Sequence, residues 1–176
     1  MSEESTAYYR FGDMLALARQ SWLGAMSGRL AELGHTDYRR SDAAAVRLLL
    51  RAGPVPVGQL GAVLGVTRQA ARKAADALVH RGYAVTRRDP DDTRQLNVIL
   101  TPAGEDYARA VVAVIAQLNR EVRERVDPAQ LAAADAVLRA ALFDDSARRR
   151  AASLPRPGAP QRPAGQDPPA LDPGTD

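Results

Sequence analysis

Apolar residues recur every three or four positions at the start of the chain, at Phe11, Leu15, Ala18, Trp22, Met26, Leu30 and Leu33. That spacing keeps one face of a helix apolar and predicts a long amphipathic helix ending near Gly34. Ser41 is placed to N-cap a second helix carrying Val46, Leu49 and Leu50, stopped by Gly53-Pro54. Two short helices follow, over 58–64 and 68–81, separated by Gly65-Val66-Thr67. Gly82 closes the second as its C′ residue.

The period then changes from helical to alternating. Residues 83–88 and 95–100 are β-rich runs around Asp89-Pro90-Asp91-Asp92-Thr93-Arg94, which reads as a hairpin with a longer loop. Thr101-Pro102 supplies the N-cap and first residue of a helix whose apolar stripe is Tyr107, Val111, Val114, Leu118 and Val122. Asp127 and Gln130 are spaced as a near capping box for a last helix that buries Leu131, Ala134, Leu138 and Leu142. From Ser146 onward lie seven of the twelve prolines and few large apolar residues. Such a tail buries too little surface to offset its ordering entropy, and disorder is expected there. Its PxxP-like spacing offers a docking segment, but a dispensable tail is the simpler reading.

The expected fold class is therefore mainly α with a small β-hairpin wing, a winged helix-turn-helix enclosed by N- and C-terminal helices. The expected boundaries are 1–40 for the N-terminal dimerisation helix and loop and 41–100 for the winged unit. The C-terminal dimerisation helices take 101–145, and 146–176 is the Pro-rich tail.

Composition narrows the chemistry. The 176 residues contain no cysteine, which removes disulfides, thiolate metal sites and thiol catalysis. His35 and His80 are the only histidines, so no metal site and no cofactor are expected. No apolar run approaches the length of a membrane span and no signal peptide opens the chain, so a soluble, cytoplasmic protein is expected. Net charge is +3, but it is unevenly spread: residues 51–94 carry +4, residues 1–50 carry zero and residues 95–145 carry −3. A basic middle fits a phosphate-binding face or a solvated surface, and charge alone does not choose between them.

The segment 57–74 reads VGQLGAVLGVTRQAARKA. Leu60, Leu64 and Val66 are placed as an apolar wedge, Gly61 as the small residue where two helices approach, and Gly65 as the turn. Ala71 and Ala74 are expected to face inward, leaving Arg68, Gln69, Arg72, Lys73 and Asp76 outward. Arg68 and Arg72 are four apart, near the amino end of a helix that fits a major groove. Arginine pairs in bidentate fashion with guanine, and glutamine with adenine. Thr67, as N-cap, offers its hydroxyl and the first helix amides to a phosphate. Arg87, Arg88 and Arg94 flank the hairpin, where a wing can enter a minor groove. Asp92 is expected to hold Arg94 by a bidentate ion pair.

Residues 64–104 resemble the core signature of the MarR family of bacterial winged-helix transcriptional regulators. The matching features are Leu-Gly-Val-Thr-Arg (64–68), Arg81-Gly82-Tyr83, the wing Asp-Pro-Asp-Asp-x-Arg (89–94) and Leu-Thr-Pro-x-Gly (100–104). The helical order extends the likeness over about 8–145. The resemblance implies a homodimer with interlocked terminal helices that binds double-stranded DNA at a pseudo-palindromic operator, and a repressor role. It also implies a small aromatic or anionic effector; Trp22, His35, Tyr38 and Arg47, with Tyr8 and Tyr9, are the candidates to line its cleft. The chain departs from the family pattern at Gly61, at Ala71 and at Ala43-Ala44-Ala45.

Apolar stripes on the terminal helices point to a dimer independently, with an interface above about 2,000 Å². Two reading heads would then stand roughly 34–36 Å apart. The alternative is a winged-helix protein-interaction module without DNA binding. An enzyme is not expected, since no catalytic triad order, metal spacing or phosphate-cradling glycine loop appears.

Overall fold

The computed structural model describes residues 3–90, 92, 94–152 and 154. Seven helices and three strands are present among them: α1 (Glu3–Glu32), α2 (Asp42–Ala52), β1 (Val55–Pro56), α3 (Val57–Leu64), α4 (Arg68–His80), β2 (Ala84–Arg88), β3 (Leu96–Leu100), α5 (Pro102–Arg125), α6 (Pro128–Ala140) and α7 (Asp145–Ala152). The fold is a winged helix, mostly helical with one small antiparallel sheet. No helix among the described residues is long and apolar enough to cross a membrane.

The chain divides into two compact units, Met1–Val122 and Arg123–Asp176. The core of the first gathers Met26 and Leu30 of α1, Val46 and Leu49 of α2, Leu60 of α3 and Leu78 of α4. Val98 of β3 joins them, together with Tyr107 and Val111 of α5. The α1 stripe is only partly used. Met26 and Leu30 are buried and Trp22 half-buried, but every residue from 10 to 21 is exposed, Phe11 and Leu15 included, as is Leu33. The helix runs beyond the part of the chain that packs against it. The α5 stripe is buried from Tyr107 to Leu118, and Val122 is exposed.

Helix ends follow local chemistry. Gly53 and Gly82 take the left-handed φ values of 73° and 75° that end α2 and α4. At Gly82 the closure is a Schellman pair: its N–H donates to the Val79 carbonyl, and the Tyr83 N–H donates to the Leu78 carbonyl. Ser41 does stand at the N-cap of α2, but its side chain makes no capping bond. The Asp42 carboxylate takes a turn amide instead, accepting from the Arg39 N–H at 3.2 Å.

The hairpin pairs Ala84 with Leu100 through to Arg88 with Leu96. Sequence periodicity does not reveal β1, whose two residues pair with the other edge of β3, Val55 with Val98 and Pro56 with Asn97. The sheet order is thus β1-β3-β2. Thr101 joins wing to α5: its hydroxyl donates to the Gly82 carbonyl at 2.7 Å and accepts from the Gly104 N–H at 3.0 Å.

In the second unit, Asp127 and Gln130 form the expected capping box. No residue of α6 is buried: Leu131 is half-buried, Ala134 and Leu138 are exposed, and Leu142 beyond the helix is half-buried. The face expected to be covered is therefore largely open in the single chain. A further correction concerns the tail. Its first residues form α7, where the Asp144 carboxylate accepts from the Ala147 N–H and Arg139 donates to the Ala151 carbonyl. Alanine and arginine favour helix strongly, and the prolines begin only at 155. The PxxP-like stretch lies outside the described residues.

Candidate nucleic-acid interface

The helix-turn-helix is built on small residues. Gly65 adopts φ 63°, which lets the Val66 N–H turn back onto the Gly61 carbonyl at 3.0 Å. A Cβ on Gly61 would stand 3.2 Å from the Val66 oxygen and 3.3 Å from the Ala71 Cβ, so the two helices cross at near contact. The buried wedge is Leu60, Ala71, Ala75 and Leu78. This corrects the sequence expectation at two places. Val66 is exposed, because the turn spends its backbone on Gly61 and leaves the side chain outside. Ala74 is half-buried, since the inward face of α4 follows positions 71, 75 and 78.

Thr67 caps α4, its hydroxyl oxygen accepting from the Ala70 N–H at 3.2 Å. The hydroxyl proton stays available to an outside acceptor. Arg68, Gln69, Arg72, Lys73 and Asp76 are all exposed along the helix that follows. Arg72 Nε lies 3.0 and 3.2 Å from the two Asp76 oxygens.

The wing tip is organised by carboxylates on backbone. Asp89 accepts from the Asp92 N–H and from Asn97 Nδ2, the latter at 2.8 Å. The expected Asp92–Arg94 ion pair is not formed: Asp92 Oδ1 accepts instead from the Arg94 backbone N–H at 3.0 Å. Two residues of separation put the main-chain donor within reach, and the carboxylate closes a local turn. Arg94 therefore keeps its guanidinium free of that contact, and Arg87, Arg88 and Arg94 are all exposed.

A cleft of about 580 Å³ joins the two elements. Arg68 and Arg72 enter it from α4, Gln59 from α3, and Asp92 and Arg94 from the wing. Thr67, Gln69, Lys73, Arg87 and Arg88 are exposed but do not line it. Gln59 has no sequence signal beyond a polar residue near a helix start.

The residues expected to serve an effector are placed separately from this cleft. Trp22 is half-buried against the core. His35 packs its ring 5.2 Å from that of Tyr107 and 6.4 Å from that of Tyr83. Tyr38 is half-buried, and burial, then the nearby Asp42 charge, raises its phenol above the ordinary value. Arg47 is exposed with Nε donating to the Ala43 carbonyl. The side chains of Tyr8 and Tyr9 lie outside the described residues.

Behind the interface sits a polar cluster that sequence reading missed. Asp42 is buried, and its Oδ2 accepts from Arg81 Nη1 and from the Tyr107 hydroxyl, each at 2.8 Å. Arg81 also donates to the Asp37 carbonyl, and the Tyr83 hydroxyl donates to the Asp37 carboxylate. Burial is the largest single influence on Arg81 and opposes its charge, but the bond to Asp42, the charges of Asp42 and Asp37 and the Tyr107 hydroxyl together hold the guanidinium above its ordinary value. Burial, reinforced by the Asp42 bond, raises the Tyr107 phenol well out of the usual range.

Residues 36–95 match the sequence profile of the MarR family. An uncharacterized protein of Mycobacterium tuberculosis, Rv2011c, is 35% identical over 103 residues, covering 58% of this chain and 69% of that protein. Among solved structures, a probable transcriptional regulator from Pseudomonas aeruginosa is 28% identical with a TM-score of 0.56, over 66% of this chain and 84% of its own. FabT of Streptococcus pneumoniae, solved in complex with DNA, superposes with a TM-score of 0.66 at 18% identity, over 74% and 92% of the two chains.

Proposed function

The chain belongs to the MarR family of transcriptional regulators, and on that premise we propose that it binds double-stranded DNA through the cleft between α4 and the wing. The observation that carries this reading is the convergence of Arg68, Arg72 and Arg94 on one concave face. Three guanidinium groups from two elements suit a duplex, whose phosphates run beside the base edges they flank. Arg68, Gln69 and Arg72 read the major groove, with Thr67 and Lys73 on phosphate. Arg87, Arg88 and Arg94 follow the backbone into the adjacent minor groove, and Asp92 shapes the wing tip. That FabT, which shares the fold, was solved in complex with DNA supports the DNA-binding reading.

The same reading makes the protein a homodimer on a pseudo-palindromic operator, acting as a repressor. Exposed apolar residues in each unit, among them Phe11, Met14, Leu15 and Leu17 on α1 and Val137 and Leu138 on α6, favour a second copy as cover. Control by a small aromatic or anionic effector completes the proposal, with Trp22, His35, Tyr38 and Arg47 as the residues to test. A thermal-shift screen finds such an effector, since binding to the native state raises the melting temperature.

Selection of bound duplexes from a random pool tests the DNA reading. The expected product is an inverted repeat with half-sites about 10–10.5 bp apart. No retained duplex at low salt, together with salt-insensitive capture of a protein partner, would favour the interaction-module alternative.

A further inference from the structure

Two arginines on the same stripe of α4 sit in opposite electrostatic settings. Arg68 is the first residue of the helix, where the aligned peptide dipoles present partial positive charge, and no carboxylate pairs with it among the described residues. Arg72, one turn later, is paired with Asp76 one turn further on. The pair is roughly half exposed, at 54% and 55% for the two side chains. Its geometry is particular. The single Nε–H of Arg72 is shared between both carboxylate oxygens, at 3.0 and 3.2 Å. The terminal Nη1 and Nη2 groups have no partner among the described residues.

Resting on the DNA-binding reading, we propose that Asp76 is a specificity-determining positioning residue that turns Arg72 into a base reader. A carboxylate beside Arg72 cancels its charge locally and repels phosphate oxygens, which lowers its share of sequence-independent attraction. The terminal N–H groups keep their hydrogen-bonding capacity, and a guanidinium held at Nε presents them as a fork that matches O6 and N7 of guanine. Arg68, without such a partner and beside the helix amides, keeps its full attraction for phosphate alongside its reach to the base edges. One helix face thereby weights Arg72 further toward sequence choice than Arg68.

The test selects duplexes from a random pool with the full chain, with Asp76→Asn, with Asp76→Glu and with Arg72→Ala, and titrates each against an unselected duplex over a range of salt. Asp76→Asn binds the unselected duplex more tightly, with a salt slope steeper by about 0.9. It loses preference at one guanine-containing pair per half-site by about fivefold or more. Arg72→Ala relaxes the same pair, and Asp76→Glu retains it. The proposal is overturned if Asp76→Asn changes neither property or relaxes a different pair from Arg72→Ala. It is equally overturned if Asp76→Asn weakens selected and unselected DNA in one ratio, or fails to fold. In those cases the unsubstituted chain still selects DNA and the general reading stands. If the unsubstituted chain retains no duplex, both readings fall together.

Discussion

Arg81 Nη1 lies 2.8 Å from Asp42 Oδ2, with 7% and 3% of the two side chains exposed. This ion pair ties Arg81, the residue that ends α4, to the first turn of α2, and the Tyr107 hydroxyl adds α5 at the same oxygen. Loss of either partner strands a buried charge. Arg81→Ala or Asp42→Ala is therefore expected to cost about 3–5 kcal/mol in denaturant unfolding. The exposed Arg109–Asp106 pair has a similar bond length, yet Arg109→Ala should leave the unfolding midpoint nearly unchanged, because water replaces the partner.

Two glycines separate a severe substitution from a mild one. A Cβ at Gly104 would fall on the carbonyl oxygen of Tyr83, a backbone atom already accepting from the Thr101 N–H. Gly104→Ala must shift the start of α5 away from the wing, and about 1–3 kcal/mol or more of destabilisation is expected. At Gly61 the nearest approaches are only tight, and alanine favours helix over glycine by about 1 kcal/mol, so Gly61→Ala should stay within about 1 kcal/mol of the parent. Equal melting temperatures for the two variants would contradict the assigned contacts.

The salt dependence of duplex binding distinguishes wing from helix. Arg94, exposed at the wing tip without a carboxylate on its guanidinium among the described residues, is assigned to the phosphate backbone. Arg94→Ala should weaken selected and random duplexes alike and reduce the magnitude of the salt slope by about 1. Arg72→Ala should instead cost about 1–3 kcal/mol on the selected site and relax its sequence. Gel-shift titrations at several salt concentrations read both effects.

Alkaline pH should loosen the fold in a defined window. Burial, then the bond to Asp37, pushes the Tyr83 phenol from 10.0 up to about 12. Between those values the unfolded chain has released the proton while the folded chain keeps it, so the unfolded state binds fewer protons and stability falls as pH rises. Below the unfolded value both states are protonated and the contribution is constant. The denaturation midpoint should decline over that window, and Tyr83→Phe should decline less. The raised phenol of Tyr107 contributes in the same direction in both proteins.

Legibility in sequence follows the range of the interaction. The Schellman closure at Gly82, the capping box at Asp127 and the turn at Gly65 are written in residues a few positions apart, and each forms as its spacing predicts. Asp42 gives no such signal. An acidic residue in a first helical turn ordinarily faces water, and its partners Arg81 and Tyr107 stand 39 and 65 residues away. Strand β1 is hidden for a related reason: two residues, one of them proline, carry no period, and only the open edge of β3 makes them a strand. At the interface the exposed face of α4 was readable from its wedge, whereas the role of Asp92 was not. Sequence proximity suggested a charge partner, and main-chain geometry supplied a nearer donor.

The central place of β3 has a mechanical result. Val98 and Asn97 are laced on one side to the two residues that feed directly into α3, and on the other to Thr86 and Arg87. The hairpin stem cannot swing as a separate flap without tearing the lead-in to the first motif helix. With the stem so held, rewriting the sequence past Arg88 changes reach and charge while the angle of the mounting stays put.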